Sequence, residues 1–370
     1  MKYRLLEFIR CPVCKSALKL ENPVFQRVDR VSGGDHEVMA GSLSCAGCGH
    51  RYPIDNGVPR LCPTDPSAGR ETGRTVSSYG YLWDRSAVTA EARPYHLDKM
   101  RRTLSLPSPS GLTLDAGCGD GIDLANQARC EGLEIIGVEL SDGGCRTSFE
   151  RTLTFPAAHV VQADLCLLPF DNDSFDFVYS YGVLHHLRSP KEGLQELVRT
   201  LKPGARAAAY LYEDFSDRAV VWRRLLAAAN QLRRVTPRLP HHVLYHLCKA
   251  AAPVIYALFT IPFLLLSRIP RIGFLAAGFP FRHATGPFSL AGDLYDRFSV
   301  PIEWRYSRAK ALALFQDAGL QDVMVAKDRG WMVAGIKSRN PMSIPERQGV
   351  QGRNRGRADL SKETGKVREC

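Results

Sequence analysis

Residues 113–121 read Thr-Leu-Asp-Ala-Gly-Cys-Gly-Asp-Gly, an apolar strand pattern that breaks into three alternating glycines before a helical stretch. Glycine lacks a Cβ and adopts turn conformations that other residues rarely reach, so Gly117, Gly119 and Gly121 let a ligand approach the main chain closely. A glycine-rich turn alone is weak evidence, because similar patterns occur in ordinary tight turns. The run therefore predicts a cofactor site only if the segments that follow form the strands of a matching sheet.

Three more strand-like segments follow, at residues 134–140, 159–164 and 174–184, and helical stretches separate them. This alternation predicts an α/β, doubly wound, parallel sheet. Glu139 lies about twenty positions after the glycines, the spacing at which a carboxylate meets a ribose diol. The sequence has GxGxG spacing and no GxxxxGK[ST] loop, which favours a nucleoside ligand without a pyrophosphate.

Four stretches together resemble class I S-adenosylmethionine-dependent methyltransferases, in particular the subgroup that includes ubiquinone and menaquinone methyltransferases. They are LDAGCGDG, IIGVELS, ADLCLLPFDNDSFDFVYSYGVLHHL and EGLQELVRTLKPGARAAAYLYED. The resemblance covers roughly residues 110–214 and implies a Rossmann-like, seven-stranded sheet that binds S-adenosyl-L-methionine. A hairpin at residues 322–326 and 331–336 matches the last strands of that fold.

The resemblance also implies residue roles. Asp115, Gly117 and Gly119 would hold the methionine end of the cofactor. Glu139 would hold the ribose, and Asp164 with the Leu165 backbone would hold the adenine edge. An ordinary turn residue at Asp164 and a helix-start charge at Glu139 are the structural alternatives. The predicted cofactor-binding residues are Asp115, Gly117, Gly119, Gly121, Glu139, Asp164, Leu165 and Ser180.

Methyl transfer by in-line displacement gains much from alignment and desolvation, so a catalytic base is not obligatory. If one exists, His185 or His186 is placed best, just beyond the fourth strand, because the pKa of histidine lies near working pH. Helix capping or core packing is the alternative for this pair. The aromatic residues Tyr79, Tyr81 and Trp83 precede the core and predict either a lid over the cofactor or packing on the sheet.

Two CxxC pairs, Cys11 with Cys14 and Cys45 with Cys48, predict a structural Zn²⁺ site of four thiolates. The thirty residues between them are expected to form a hairpin that turns at residues 33–34. Residues 5–63 resemble the small zinc-ribbon-like domain that activates or precedes some tRNA, rRNA and release-factor methyltransferases. Without an open metal position, this module should stabilise folding rather than do chemistry.

Charge is distributed unevenly along the chain, whose formal net charge is +11. Residues 216–300 contain eleven Lys or Arg against three acids, and residues 339–370 contain eight against four.

We expect six regions: a zinc ribbon (1–63), a linker and aromatic segment (64–109), the cofactor core (110–215), a basic and apolar helical insertion (216–300), the end of the core (301–338) and a disordered tail (339–370). Four of the eleven cysteines belong to the metal pairs and four more lie inside the cofactor core, which, with the absence of a long apolar N-terminal run, favours a reducing cytoplasm.

The insertion is expected to select the substrate. Its uncharged run at residues 250–267 is at the lower length limit for a membrane span, and Pro253 and Pro262 would interrupt the helix. A second apolar patch covers residues 272–281. A protein-packed lid, a helix resting on a membrane surface through residues 250–281 and a true span all remain open.

Three function classes remain. The first is an enzyme that methylates a small or lipid-like acceptor, which the apolar insertion favours. The second is an rRNA or tRNA methyltransferase, which the zinc module and basic surface allow, although Ser180-Tyr181-Gly182-Val183 stands where an Asn-Pro-Pro-Tyr motif would mark amino-directed methylation. The third is a non-catalytic binding or scaffold protein, against which the intact cofactor residues argue.

Overall fold

The computed structural model describes residues 1–30, 33–64, 69–86, 95–271, 276, 279–281 and 284–339. The strands are β1 (Leu18–Arg30), β2 (Gly33–Cys45), β3 (Arg51–Asp55), β4 (Val58–Pro59), β5 (Gly111–Ala116), β6 (Leu133–Glu139), β7 (Ala158–Gln162), β8 (Phe175–Tyr181), β9 (Leu201–Leu211), β10 (Leu320–Asp328) and β11 (Gly330–Lys337). The α-helices are α1 (Arg70–Ser86), α2 (His96–Leu104), α3 (Ile122–Gln127), α4 (Asp142–Thr152), α5 (Pro190–Thr200), α6 (Val220–Leu232), α7 (His241–Ile255), α8 (Ile261–Leu266), α9 (Ala291–Ser299) and α10 (Arg308–Asp317).

The large sheet has seven strands in the order β10-β11-β9-β8-β5-β6-β7, which confirms the predicted doubly wound architecture. The five neighbouring strands β9, β8, β5, β6 and β7 pair in parallel. Strand β11 lies antiparallel to β9 and pairs with β10 as a closing hairpin. The chain runs outward from β5 to β7 and then returns to β8 on the other side of β5. This reversal opens a crevice at the carboxyl ends of β5 and β8, where ligands bind in such sheets.

The start of α4 follows from local chemistry, because the Ser141 hydroxyl accepts the Gly144 N–H at 3.2 Å and caps the helix.

Pro203 and Gly204 lie inside β9, since α5 already ends at Thr200. There the register jumps by five residues on β9 for two on β8, and this bulge accommodates the proline and a glycine with φ +80°.

The N-terminal region forms a four-stranded antiparallel sheet in the order β1-β2-β3-β4. The long hairpin of β1 and β2 occupies the interval between the two CxxC pairs, so the predicted hairpin is confirmed. Its turn at residues 31–32 lies outside the described residues, and residues 33–34 belong to β2. The hairpin brings Cys45 and the Cys48 turn back beside the first pair.

This N-terminal sheet docks on the β7 edge of the large sheet. Arg60 forms a parallel bridge with Gln162, and the Leu61 N–H donates to the Gln162 carbonyl oxygen at 2.8 Å. A second backbone bridge at this junction joins Ile9 to Phe170, and both of their side chains are fully buried. One hydrophobic core runs from the N-terminal sheet into the space beneath β5 to β8. The two regions therefore fold against each other as one compact unit, residues 1–339.

A polar cluster reinforces this junction. The Arg4 guanidinium donates two hydrogen bonds to the Glu134 carboxylate, at 2.6 and 2.8 Å. His159 Nε2 lies 3.0 Å from the same carboxylate, and its ring is buried. Burial opposes the ionised form of Glu134, but the hydrogen bonds from His159 and Arg4 outweigh it and lower its pKa to about 2. Glu134 is thus an ionised anchor on β6 for the N-terminal turn.

The insertion forms its own small core. Buried residues of α7, namely Leu244, Cys248 and Ala252, pack against Leu294 and Tyr295 of α9. The helical run from α7 continues through a π-helical turn, Tyr256–Thr260, into α8. Helix α6 has no buried residue. The tail predicted to be disordered and most of the apolar patch at 272–281 lie outside the described residues.

We expect Glu134→Gln to lower the free energy of unfolding by about 1–2 kcal/mol at neutral pH, because it removes charge-assisted hydrogen bonds at the junction. Since the folded-state pKa of Glu134 lies below its ordinary value of 4.5, its contribution is complete above pH 4.5 and disappears as pH falls toward about 2. Urea unfolding at several pH values measures both effects.

Glu7→Gln is the matched control, because Glu7 also lies near Arg4, at 3.6 Å, but is 66% exposed. It should change stability by less than about 0.5 kcal/mol. Equal effects of the two substitutions would contradict the junction role of Glu134.

Candidate functional site

A cavity of about 1360 Å³ lies at the carboxyl ends of the central strands. One part is lined by the segments that follow β5, β6 and β7, and the other by residues after β8 and β9, by α1 and by the insertion. The predicted cofactor residues that line it are Asp115, Gly117, Gly119, Glu139, Asp164 and Leu165. Residues that are far apart in the sequence therefore share one crevice at the switch point of the sheet.

Each of the three glycines in the turn is required for a different physical reason. Gly117 has φ +92°, and a Cβ there would lie 2.3 Å from Cγ2 of Val183; Gly119 has φ +55°, and a Cβ would lie 2.9 Å from the Trp83 ring. Both glycines line the cavity. Gly121, by contrast, is absent from the lining, and its missing Cβ makes room for Ser148 of α4 at 2.6 Å. Its glycine serves helix packing rather than ligand approach.

Glu139 ends β6 with its carboxylate fixed by three hydrogen bonds. Gly119 N–H donates to Oε2 at 3.1 Å, while the Ser141 N–H and hydroxyl donate to Oε1 at 2.9 and 2.6 Å. Burial raises the pKa of Glu139 despite these bonds. The glycine turn and the predicted ribose ligand are thus held together by a direct hydrogen bond.

Buried carboxylates make this end of the cavity acidic. Asp115, Asp120 and Asp123 are each at most 5% exposed and line the cavity with Glu139. Burial, and then the neighbouring Asp123 carboxylate, raise the pKa of Asp115 well above its ordinary range. A cationic ligand would offset this repulsion and lower the pKa of Asp115 again. The acidic end therefore suits a ligand with ammonium or sulfonium charge.

The remaining predicted cofactor residues have separate positions. Asp164 lines the cavity, and its Oδ1 accepts the Cys166 N–H at 2.8 Å, so the carboxylate is oriented by its own turn. Leu165 lines the cavity beside it. Ser180 is fully buried, does not line the cavity and donates its hydroxyl hydrogen to the Ala116 carbonyl oxygen at 2.8 Å. Ser180 therefore ties β8 to the end of β5 instead of facing a ligand.

The two candidate catalytic histidines differ sharply. His186 lines the cavity, and its Nδ1 lies 2.7 Å from the Ile302 carbonyl oxygen, which can only accept a hydrogen bond. Nδ1 therefore carries the proton, and Nε2 carries the lone pair. Nε2 has no hydrogen-bond partner among the described residues. Burial lowers the pKa of His186 and keeps the ring neutral. His185 is fully buried, packs against Tyr212 and does not line the cavity.

The sequence did not reveal the residues that face His186. The Asp296 carboxylate, on α9, accepts the Tyr212 hydroxyl hydrogen at Oδ2 over 3.1 Å and lines the cavity with His186. Burial, and then this carboxylate, raise the pKa of Tyr79 well above its ordinary range. No motif marks Asp296. The only signal was its position as one of three acids in a basic insertion.

The aromatic segment divides between two roles. Tyr79 and Trp83 line the cavity from α1, with Tyr79 5.6 Å from the His186 ring centroid and Trp83 against the glycine turn. Tyr81 points elsewhere: it stacks on His241 at 5.3 Å and packs near Tyr295 in the core of the insertion. Two of the three predicted lid residues therefore reach the cavity.

The four predicted metal ligands converge in the N-terminal sheet. All four sulfur atoms lie within 4.8 Å of one another, with Cys11 and Cys48 3.5 Å apart and Cys14 and Cys45 3.3 Å apart. A tetrahedral site with Zn–S bonds of about 2.3 Å places its sulfurs about 3.8 Å apart. The cluster can bind Zn²⁺ with closed, structural geometry. Next to it the Tyr52 hydroxyl lies 3.3 Å from Cys11 Sγ as an outer-sphere contact.

A glycine-lined crevice at a switch point, with a carboxylate ending the second strand, defines an α/β protein that binds a nucleoside cofactor. Residues 114–209 match the family model described as a methyltransferase domain, and residues 2–57 match the Trm112p-like protein model. The chain thus carries a methyltransferase domain joined to an N-terminal Trm112p-like domain. The first implies S-adenosylmethionine as the cofactor, and the cysteine cluster of the second can bind zinc.

Similar proteins include 27-O-demethylrifamycin SV methyltransferase of Amycolatopsis mediterranei, 29% identical over 35% of this chain and 48% of that protein. Demethylmenaquinone methyltransferase of Clavibacter sepedonicus is 38% identical over 25% of this chain and 38% of that protein. The chain spans less than half the length of these relatives. A solved complex of the Haloferax volcanii Trm112 methyltransferase activator with a methyltransferase aligns over 72% of this chain and 98% of that one, at TM-score 0.44 and 14% identity.

We expect Gly117→Ala to weaken S-adenosylmethionine binding at least tenfold, because the added methyl group would meet Val183 inside the crevice. Gly132→Ala is the control, since Gly132 also has positive φ but a Cβ there would meet no atom within 4 Å. It should cost about 1–2 kcal/mol of stability and leave affinity unchanged. Titration calorimetry measures affinity, and equal losses in both variants would contradict the steric role of Gly117.

We also expect the purified protein to contain one Zn²⁺ per chain and Cys45→Ser to lose it. The substitution should lower the free energy of unfolding by more than about 3 kcal/mol, because the binding energy of a structural zinc is folding energy. Cys62→Ser, outside the cluster, should keep both metal and stability. Elemental analysis and thermal unfolding test this, and full zinc content in Cys45→Ser would refute the four-thiolate site.

Proposed function

We propose that this protein is an S-adenosylmethionine-dependent methyltransferase that acts on a small or lipid-like acceptor carrying a hydroxyl or amino hydrogen. One observation carries the proposal: the acidic, glycine-lined crevice and His186, whose Nε2 has no partner among the described residues, line the same cavity. The first end suits the cationic cofactor. The second offers a proton acceptor beside the space that an acceptor molecule would occupy.

The residues of the acidic end divide the work of holding the cofactor. Asp115 would bind its ammonium group, Glu139 its ribose hydroxyls, and Asp164 with Leu165 its adenine. The absence of a Cβ at Gly117 and Gly119 leaves room for Val183 and the Trp83 ring, which line the cavity beside these residues. Bound S-adenosylmethionine supplies an electrophilic methyl group, and the aromatic rings of Tyr79 and Trp83 help to exclude water from it.

At the other end His186 acts on the acceptor. Its Nδ1–H is fixed by the Ile302 carbonyl oxygen, so Nε2 can take a proton from the acceptor hydroxyl or amine as general base. The Asp296 carboxylate lines the same cavity, and the Tyr212 hydroxyl donates to its Oδ2 and holds it in place. The unprotonated Nε2 and the carboxylate both accept hydrogens, which favours an acceptor with an O–H or N–H group.

The lining of the acceptor end favours an apolar molecule. The insertion contributes Tyr245, Phe279, Phe281 and Phe288 to the cavity. Two of the similar proteins are named for a quinone and a rifamycin acceptor, which agrees with this chemistry. An RNA substrate would instead use the basic surface through phosphate contacts, and a scaffold protein would bind cofactor without turnover.

The first experiment combines cofactor calorimetry with comparative mass spectrometry of metabolites and lipids from cells that express wild type or Gly117→Ala. The proposal predicts cofactor binding and a product heavier by one methyl group with wild type only. Absence of cofactor binding by the zinc-loaded protein would refute it. Methylated RNA in place of a methylated small molecule would transfer the function to the nucleic-acid class.

We expect His186→Gln to lower the methylation rate by roughly 10²–10⁴-fold while cofactor affinity stays within a factor of two or so. His246→Gln, at an exposed position of α7, should leave the rate unchanged. Because burial lowers the pKa of His186, wild-type activity should hold below pH 6.5, the ordinary value, and fall only when the ring becomes protonated. Pre-steady-state rates across this pH range provide the test, and an unchanged rate in His186→Gln would exclude the base role.

A further inference from the structure

The insertion exposes an apolar stripe along the helical run His241–Leu266, which is long and apolar enough to cross a membrane. Only 11% of its most apolar stretch is buried, so it is not an ordinary core helix. The stripe, defined by side chains at helical spacing that are 41–60% exposed, consists of Leu247, Val254, Leu258, Ile261 and Leu265. An exposed apolar surface of this kind marks an interaction site.

Helix α6 extends this surface. Val221, Leu225 and Leu232 are 44–59% exposed, and α6 lies beside the stripe helix through Trp222, whose ring is 6.4 Å from that of Phe259. The two helices therefore present apolar side chains from neighbouring positions of the same insertion.

The charge around this surface has one sign. Residues 218–292 contain ten Lys or Arg and no Asp or Glu. Seven of these cations are exposed on α6, α7 or the segments that flank them, and none has an ion-pair partner among the described residues: Arg223, Arg224, Arg234, Arg238, Lys249, Arg268 and Arg271. Such a surface is complementary to acidic lipid headgroups.

The same charges disfavour a second copy of the chain as the occupant. A two-fold interface places a surface patch against itself, so it would bring these unpaired cations together. Acidic lipid instead supplies the missing negative charge and an apolar layer for the stripe.

The opposite face of α7 excludes a spanning helix. Leu244, Cys248 and Ala252 are buried against α9, and the Thr260 hydroxyl donates to the Phe281 carbonyl oxygen at 2.9 Å. A helix surrounded by lipid would have to give up this packing. The run therefore suits a position in the interfacial plane, with one face on the protein and the other on lipid.

The insertion also carries part of the cavity lining. Tyr245 of α7 lines the cavity, and Phe288 lines it while remaining 58% exposed. The cavity thus reaches the protein surface at the insertion.

We propose that the apolar stripe and its cations dock this protein on an acidic membrane surface, from which the cavity receives an apolar acceptor. The docking stands on the exposed surface alone, while the supply of the acceptor rests on the proposed methyl transfer.

Flotation of the full-length, zinc-loaded protein with vesicles tests the docking. Vesicles of phosphatidylcholine alone are compared with vesicles that also contain phosphatidylglycerol, at low and high salt. The protein should float with the acidic vesicles, and high salt should reduce the bound fraction severalfold. Failure to float with acidic vesicles at low salt would overturn the proposal.

Two double variants separate the apolar and charged contributions. Leu258→Gln with Leu265→Gln should lower vesicle partitioning at least tenfold or so, and Arg268→Gln with Arg271→Gln about fivefold for each cation removed. Val24→Gln with Phe25→Gln is the matched control, because these apolar residues of β1 are 59% and 50% exposed but lie outside the insertion. It should leave partitioning unchanged, and equal losses in the control would overturn the assignment of the surface.

Two further measurements make the outcomes distinguishable. Sedimentation velocity without lipid should show a monomer; a dimer that the Leu258→Gln, Leu265→Gln variant dissociates would assign the stripe to a second copy and overturn the proposal. Cofactor calorimetry on the same variant should match wild type. Retained cofactor binding with lost flotation supports docking by the stripe, whereas lost cofactor binding in wild type refutes the methyl transfer independently of the membrane result.

Discussion

The continuous hydrophobic core beneath the β7 edge is the constraint on which the rest of the structure depends. The N-terminal sheet places Leu5, Ile9 and Leu61 in the same core as Leu114 and Val178 of the central strands. The edge of a parallel sheet exposes unpaired backbone groups, and here the chain's own N-terminal region pairs with them. A zinc ion bound by the four cysteines would hold the small sheet closed. It would thereby stabilise the segment that pairs with the β7 edge.

That arrangement also explains the ionised Glu134 at the junction. A carboxylate at a largely apolar interface is stable only if it is paired, and both Arg4 and His159 donate to it. Glu134 and the backbone bridges at Gln162 and Phe170 together give the N-terminal region a defined orientation on the sheet. Strand β6 carries Glu134 near one end and Glu139 at the other, so it links this junction to the cavity.

The cavity itself combines two opposed environments. One end gathers buried carboxylates, among which Asp115 and Glu139 have pKa values raised by burial, and the other end gathers aromatic rings around a neutral histidine. The first environment stabilises a cation, while the second stabilises an apolar molecule near a proton acceptor.

The sequence by itself determined the alternation of strands and helices, the glycine turn, the position of Glu139 at the end of β6 and the two cysteine pairs that converge, because each depends on local spacing that backbone geometry converts directly into position. It could not separate His185 from His186, place Gly121 and Ser180 outside the cavity, or identify Asp296. Those assignments depend on which side of a strand faces the crevice and on how a distant helix packs. Only the tertiary structure decided them, because the insertion folds back across the carboxyl end of the sheet through contacts that no short-range pattern specifies.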